Sequence, residues 1–251
     1  MLKVVNLKKE FKTNKSIFKI LDNIDLEVKK GEFISIMGPS GAGKTTLLNI
    51  LSTVDKPTCG KVYYNNKNIQ EMNNKQISKF RRENIGFIFQ DYNLLDSMTV
   101  EDNIALPLVI SKEKQDKVRA EVLRLSKFFG IEGHLSKYPY ELSGGQKQRA
   151  AAARALITEP KIIFADEPTG ALDSKASSEL LNCLKEMNEK FNVTVIMVTH
   201  DAFSASYSKK VIFMKDGKLN ARIDSSGNRK EFFNNIMNLL TSMGGEVNEL
   251  S

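Results

Sequence analysis

The stretch Gly38-Pro39-Ser40-Gly41-Ala42-Gly43-Lys44-Thr45 constrains this chain more than any other, because it fits the spacing G-x-x-x-x-G-K-[ST]. It directly follows the apolar run Phe33-Ile34-Ser35-Ile36-Met37, entered through Gly31, and it precedes Thr46-Leu47-Leu48-Asn49-Ile50-Leu51, which suits a helix. Strand, glycine-rich loop and helix in that order are the context that confirms a phosphate-binding pattern. The glycines let backbone N–H groups wrap the β- and γ-phosphates, and the helix N-terminus adds the positive end of its dipole. Lys44 neutralises phosphate charge, and the Thr45 hydroxyl coordinates Mg²⁺. The binding set read from this stretch is Gly38, Pro39, Ser40, Gly41, Ala42, Gly43, Lys44, Thr45 and Thr46.

The rest of the chain reads as sheet interleaved with helix. Ile24, Leu26 and Val28 alternate with charged residues, Lys61-Val62-Tyr63-Tyr64 runs into the turn Asn65-Asn66, and Ile85-Gly86-Phe87-Ile88-Phe89 is a further apolar strand. Residues 91–155 are predominantly helical; within 112–129, Val118, Val122, Leu125 and Phe129 recur at helical spacing and Gly130 is placed to end the helix. Short β-rich runs then return at 162–165, 193–198 and 211–214, the first two separated by a helical pattern through Ala176, Leu180, Leu184 and Met187. Strand, helix, strand in that order implies a parallel sheet and an α/β fold. Asp216-Gly217 predicts a hairpin between 211–214 and 219–223, and Phe232, Phe233, Ile236, Met237 and Leu240 outline an amphipathic segment near the end. No internal repeat or low-complexity tract is present.

Two more segments carry chemistry. Ile162-Ile163-Phe164-Ala165-Asp166-Glu167 is an apolar strand ending in two acids. Beside a phosphate loop, Asp166 is placed to join a Mg²⁺ shell and Glu167 to polarise an attacking water; taken alone, the same pair suits a helix N-terminus. Leu142-Ser143-Gly144-Gly145-Gln146 precedes the helical run 147–156, and a Ser-Gly-Gly turn there is either an anion-binding device or an ordinary helix capped by Ser143.

Composition closes off other classes. Cys59 and Cys183 fit neither a disulfide framework nor a zinc spacing, with only His134 and His200 beside them. The chain opens on alternation rather than a secretory signal and holds no stretch near the roughly 18 apolar residues of a membrane span, which predicts a cytosolic protein. The net charge of +7 fits a basic face for an anionic partner or a solvated lysine-rich surface, and the absence of long basic runs interleaved with aromatics favours the second. No nucleic-acid partner is expected.

The order of phosphate loop, 142–146 and the Asp166-Glu167 strand resembles the ATP-binding subunit of an ATP-binding cassette (ABC) transporter over about residues 1–225. Leu142, Ser143, Gly144, Gly145 and Gln146 match that family's signature, which is far more specific than the phosphate loop. The resemblance implies a P-loop NTPase of ABC type, with a mainly parallel core sheet, an N-terminal antiparallel β part and a helical subdomain carrying the signature. Its expected boundaries are core 1–89 and 156–225, helical subdomain 90–155, and an amphipathic tail at 226–251. Gln90 matches the Q-loop glutamine that touches Mg²⁺ and faces the membrane partner, Asp173 in Ala171-Leu172-Asp173 matches the D-loop, and His200 matches the switch histidine at the γ-phosphate. As an isolated residue, His200 would read as a polar group ending a core strand. Phe11 falls where the family stacks a tyrosine on adenine, and a core or strand-edge Phe is the alternative. His134 matches no motif and is read as a surface residue.

In that family the signature of one subunit closes over ATP held by the phosphate loop of another, so the resemblance implies a head-to-tail dimer with two composite sites. The expected catalytic set is Glu167, His200 and Gln90, the metal set is Thr45, Gln90 and Asp166, and the cofactors are ATP and Mg²⁺. Phe89-Gln90-Asp91-Tyr92-Asn93-Leu94-Leu95-Asp96 and Phe232-Phe233 resemble the subgroup serving bacterial peptide-resistance transporters of the bacitracin or nisin type. Lipoprotein-release, macrolide-export and cell-division relatives are the alternatives. The partners so implied are a multi-span permease, a second copy of the chain and, through the permease, a sensor histidine kinase, at the cytoplasmic face of the cell membrane. A chromosome-handling ATPase would carry a long coiled coil between phosphate loop and signature, and a translational cassette protein would carry each motif twice; neither is seen.

Overall fold

In the computed structural model, residues 1–12 and 16–243 are described; residues 244–251 of the expected tail lie outside them. In chain order the elements are β1 (Leu2–Lys12), β2 (Ile17–Val28), β3 (Phe33–Met37), α1 (Lys44–Leu51), β4 (Cys59–Tyr64), β5 (Lys67–Asn68), α2 (Asn74–Asn84) and β6 (Ile85–Ile88). There follow α3 (Val100–Ile110), α4 (Gln115–Phe128), α5 (Gly144–Leu156), β7 (Ile162–Asp166), α6 (Ser174–Phe191), β8 (Thr194–Thr199), α7 (Ala202–Ala205), β9 (Lys210–Lys215), β10 (Lys218–Asp224) and α8 (Arg229–Ser242). The chain divides into two compact units, Met1–Glu71 with Ile196–Ser251, and Met72–Val195.

The first unit contains the expected antiparallel part, with strand order β2-β1-β4-β5. Leu2, Val4, Ile24, Leu26 and Val28 are buried while their neighbours along each strand are largely exposed, the alternation that one covered face demands. The same unit holds β10, β9 and β3 in that order, together with the Ile196–Thr199 part of β8. All five residues of β3 are buried, β3 and β9 are parallel with Ile36 opposite Ile212, and β10 returns antiparallel through Asp216 (φ 50°) and Gly217 (φ 74°). Two consecutive positive φ angles are what a two-residue hairpin of matching twist needs.

Helix α8 packs on this unit. Phe232 and Ile236 are fully buried against Met37, Ala205, Val211 and Phe213, and each contributes about 1.5–3 kcal/mol of burial. Asn228 caps the helix by accepting from the N–H groups of Lys230 and Glu231, and the Arg229 guanidinium lies 4.3 Å from the centre of the Tyr207 ring.

The second unit is mainly helical around a parallel pair, β6 and β7, with Ile88 opposite Ala165. Helix α4 ends at Phe128, and Gly130 sits beyond it at φ 63°, the left-handed stop that its sequence position predicts. Helix α2 escapes the sequence reading because its covered stripe holds only two apolar residues, Ile77 and Phe80, both half-buried, and none of its residues is buried. Its N-terminus is held by a reciprocal cap, in which the Asn73 side chain accepts from Gln76 N–H and the Gln76 side chain accepts from Asn73 N–H. Among the described residues no helix is long and apolar enough to cross a membrane.

Candidate functional site

In the first unit, β3 delivers the chain into the loop 38–43 and α1 leaves it. Gly43 precedes the helix at φ 97°, a backbone conformation that side chains oppose, and no side chain caps the helix end. No acid occupies the first turn of α1, so its N–H groups and dipole face outward without a competing negative charge of the helix's own. Lys44 is only 7% exposed, and its Nζ donates to the carbonyls of Gly38 (2.8 Å) and Pro39 (2.9 Å), which draws the ammonium over the loop. Gly217 N–H donates to Ala42 O, tying the β9–β10 turn to the loop. Thr45 and Ser40 are exposed and Thr46 is half-buried. An exposed hydroxyl, a bent loop of backbone donors and a cation held beside it form a receptor for a phosphate chain.

Two further predicted residues lie in this unit. His200 is exposed and follows β8, so it is not a core residue. Phe11 is 49% exposed near the end of β1, opposite the 53% exposed Phe18 on β2, with the Lys9 ammonium 5.0 Å from its ring centre. The core alternative for Phe11 is thereby removed.

In the second unit, the parallel pairing of β6 with β7 brings Gln90 and the Asp166-Glu167 pair to the carboxyl ends of neighbouring strands. That is where open α/β sheets bind ligands. A Cβ placed on Gly170 would fall 3.1 Å from Gln90 Nε2, so the Gln90 amide lies over the turn that follows Glu167. Glu167 is half-buried at φ 45°, unusual for a residue with a side chain, and Gly170 N–H donates to its carbonyl. Within this unit Gln90 offers an amide oxygen and Asp166 a carboxylate, and in the first unit Thr45 separately offers a hydroxyl; each is the kind of hard oxygen donor that Mg²⁺ takes. Among the described residues no cluster of three His, Cys, Asp or Glu side chains forms a metal cage.

The 142–146 segment opens α5. Ser143 is the N-cap: its Oγ accepts from Gln146 N–H (3.3 Å) and its own N–H donates to Gln146 Oε1 (2.9 Å). Ser143 is exposed nonetheless, so capping and presentation of the hydroxyl at a helix N-terminus coexist. Gly144 leaves room for a close neighbour, since a Cβ there would lie 2.9 Å from the Tyr92 hydroxyl, which would have to shift. Burial first, and the Asp91 charge second, hold the Tyr92 phenol above its ordinary pKa, so the hydroxyl keeps its proton. Asp173 caps α6 by accepting from Ala176 N–H.

Three residues that sequence reasoning missed organise this unit. Gln148 is fully buried and donates to Phe89 O (3.0 Å) and Pro168 O (2.8 Å), the carbonyls flanking Gln90 and Glu167. Arg154 donates to Tyr92 O and Asn93 O, where both residues have positive φ; burial lowers its pKa, yet an arginine remains charged. Polar side chains next to and inside the Ala150 to Ala155 run, Gln148 just before it and Arg154 within it, are the signal that could have found both. The third corrects an expectation: His134 is not a surface residue but half-buried, with Nδ1 buried and Nε2 3.0 Å from the Gln146 amide nitrogen.

This chain belongs to the ABC transporter family, whose model matches residues 21–170, and it is an ATP-binding, ATP-hydrolysing subunit of that family. It is 47% identical to the bacitracin export ATP-binding protein BceA of Halalkalibacterium halodurans over 99% of both chains. It is 45% identical to the ABC transporter ATP-binding protein YxdL of Bacillus subtilis, over 100% of this chain and 97% of that one. Among solved structures it resembles the dimeric post-hydrolysis state of the ATP-binding cassette MJ0796 bound to ADP and Pi, with TM-score 0.84 and 40% identity over 91% of this chain and 100% of that one. MJ0796 is a protein of Methanocaldococcus jannaschii. The expected fold class and the resemblance to the bacitracin-type subgroup are both borne out.

Proposed function

We propose that this chain powers a multi-span permease in the export of an antimicrobial peptide of the bacitracin type, and that it works as an ATP-closed, head-to-tail dimer at the cytoplasmic face of the cell membrane. The observation that carries this reading is the end-to-end identity to a bacitracin export ATP-binding protein, which includes the tail as well as the cassette. The dimeric MJ0796 cassette supports the paired arrangement. A sensor histidine kinase is the further partner reached through the permease.

Phe11 stacks on the adenine, the loop 38–46 holds the phosphates, and Lys44 offsets their charge. Thr45, Gln90 and Asp166 would hold Mg²⁺, which when bound neutralises the β- and γ-oxygens. Glu167 orients the attacking water and accepts its proton, His200 contacts the γ-phosphate, and Asp173 contributes from the D-loop. Leu142, Ser143, Gly144, Gly145 and Gln146 act on the nucleotide of the second copy, where the Ser143 hydroxyl and the N-terminus of α5 receive phosphate oxygens.

The chain is expected to co-purify with the permease encoded beside it, and the pair is expected to show ATP hydrolysis stimulated by a bacitracin-type peptide. Absence of both association and stimulation would sink the transport reading. Ser143→Arg is expected to leave ATP binding nearly intact and abolish turnover, because the residue serves the other copy's nucleotide. Loss of binding equal to that in a Lys44 variant, measured by titration with a fluorescent ATP analogue, would contradict the composite site.

A further inference from the structure

The cap that starts α5 has a second partner behind it. Ser143 N–H donates to Gln146 Oε1, which fixes the orientation of that amide and turns its nitrogen toward His134. The two nitrogens stand 3.0 Å apart. An amide nitrogen only donates, so His134 Nε2 must accept. The ring is then neutral with its proton on Nδ1, an atom that is buried and has no hydrogen-bond partner among the described residues. The backbone around the ring is pinned as well: His134 N–H donates to Ile131 O and its carbonyl accepts from Lys137 N–H.

We propose that His134 is a positioning residue for the 142–146 segment: its neutral imidazole holds the Gln146 amide in the orientation that caps Ser143, and protonation releases it. The proposal rests on the reading of that segment as the part that acts on the partner copy's nucleotide. A protonated ring presents Nε2–H to the amide N–H₂, donor against donor. Gln146 can then offer its oxygen to His134 only by turning its nitrogen toward Ser143 N–H, a second donor clash; otherwise the imidazole leaves. In the first case the bond from Ser143 N–H to Gln146 Oε1 breaks, and with it half of the reciprocal cap; in the second the amide keeps that bond and loses the acceptor that held its nitrogen. The charged side chains on the elements around the ring are Glu132 in its own turn, Lys127 on α4, Glu101 and Asp102 on α3, Lys137 and Glu141 in the following segment, and Lys147 and Arg149 on α5. Among the described residues none of them hydrogen-bonds to or pairs with the imidazole, so the amide is its one polar side-chain partner. Such a release alters turnover without touching the phosphate loop.

The test uses the full chain with ¹⁵N-labelled histidine. His134 and His200 are the only two histidines, and His134→Gln assigns the signals by removing one. The expected result is an Nδ1–H tautomer for His134 at mildly alkaline pH; an Nε2–H tautomer would overturn the proposal. In parallel, ATP hydrolysis and fluorescent-nucleotide binding are followed from about pH 5.5 to 8.5. Wild type is expected to lose turnover roughly three- to tenfold toward acid, the weight of one hydrogen bond, with nucleotide affinity unchanged. His134→Gln offers an oxygen acceptor at comparable reach that does not titrate, so it should keep the neutral rate and lose that part of the acid fall. His134→Leu should lower kcat by a similar factor at every pH with KM little changed. Equal acid profiles for wild type and His134→Gln would overturn the proposal and leave the functional reading standing. A wild type that hydrolyses no ATP at any pH would sink the functional reading, and the tautomer would still decide whether His134 holds Gln146.

Discussion

Glu167→Gln is expected to slow ATP hydrolysis by roughly 10²- to 10⁴-fold, the loss typical of a missing general base. The substitution keeps the size and hydrogen-bonding reach of the side chain and removes its negative charge. Its backbone surroundings do not depend on that charge: the Glu167 carbonyl accepts from Gly170 N–H, and the next carbonyl, that of Pro168, accepts from buried Gln148. The unusual φ of 45° is a property both residue types share the cost of, so the local fold should survive. ATP binding should persist, because Lys44 and the loop 38–46 are untouched. A dimer formed on binding could then no longer be reopened by hydrolysis, so the variant with ATP should elute as a dimer on size exclusion while wild type elutes mainly as a monomer. Hydrolysis rate and elution volume are measured together, with ADP as control. Near-normal turnover would remove Glu167 from its role, and an elution volume indifferent to ATP would remove the closed-dimer mechanism.

Lys44→Ala is expected to weaken ATP binding by roughly 10- to 100-fold, the range for losing a hydrogen bond between charged partners. Lys44 is the cation of the 38–45 loop, and its Nζ already lies against the carbonyls of Gly38 and Pro39. The buried stem makes the alanine variant ambiguous on its own, because it also opens space under the loop. Lys44→Met keeps most of that volume and removes only the charge, so the two variants should lose affinity alike while Lys44→Met unfolds at a temperature closer to wild type. Titration with a fluorescent ATP analogue and a thermal melt separate the two effects. An unchanged dissociation constant in Lys44→Met would remove Lys44 from phosphate binding.

The expected strands and helices that rest on short-range signals correspond to elements of the fold. Phe33–Met37 forms a wholly buried strand, Asp216-Gly217 turns a hairpin, Gly130 stops α4, and Phe232 with Ile236 forms the buried stripe of α8. Helix α2 was illegible for the opposite reason, since a helix whose covered face carries only Ile77 and Phe80, neither buried, leaves a very short apolar period in the sequence.

By itself the sequence determined what depends on neighbours along the chain: the phosphate loop between its strand and helix, the helix start at Ser143, and the family to which these motifs in this order belong. Tertiary structure alone decided which side chains hold those motifs in place. Gln148 meets Phe89 across 59 residues and Pro168 across 20, and Arg154 meets Tyr92 across 62. Likewise the Tyr92 hydroxyl stands over Gly144, and His134 reaches Gln146 from a turn twelve residues earlier that no motif marks. The physical reason is that turn chemistry, capping and side-chain period are set within a few residues of backbone, whereas a buried polar side chain takes whichever donor or acceptor the fold brings within about 3 Å, and that choice is made by packing.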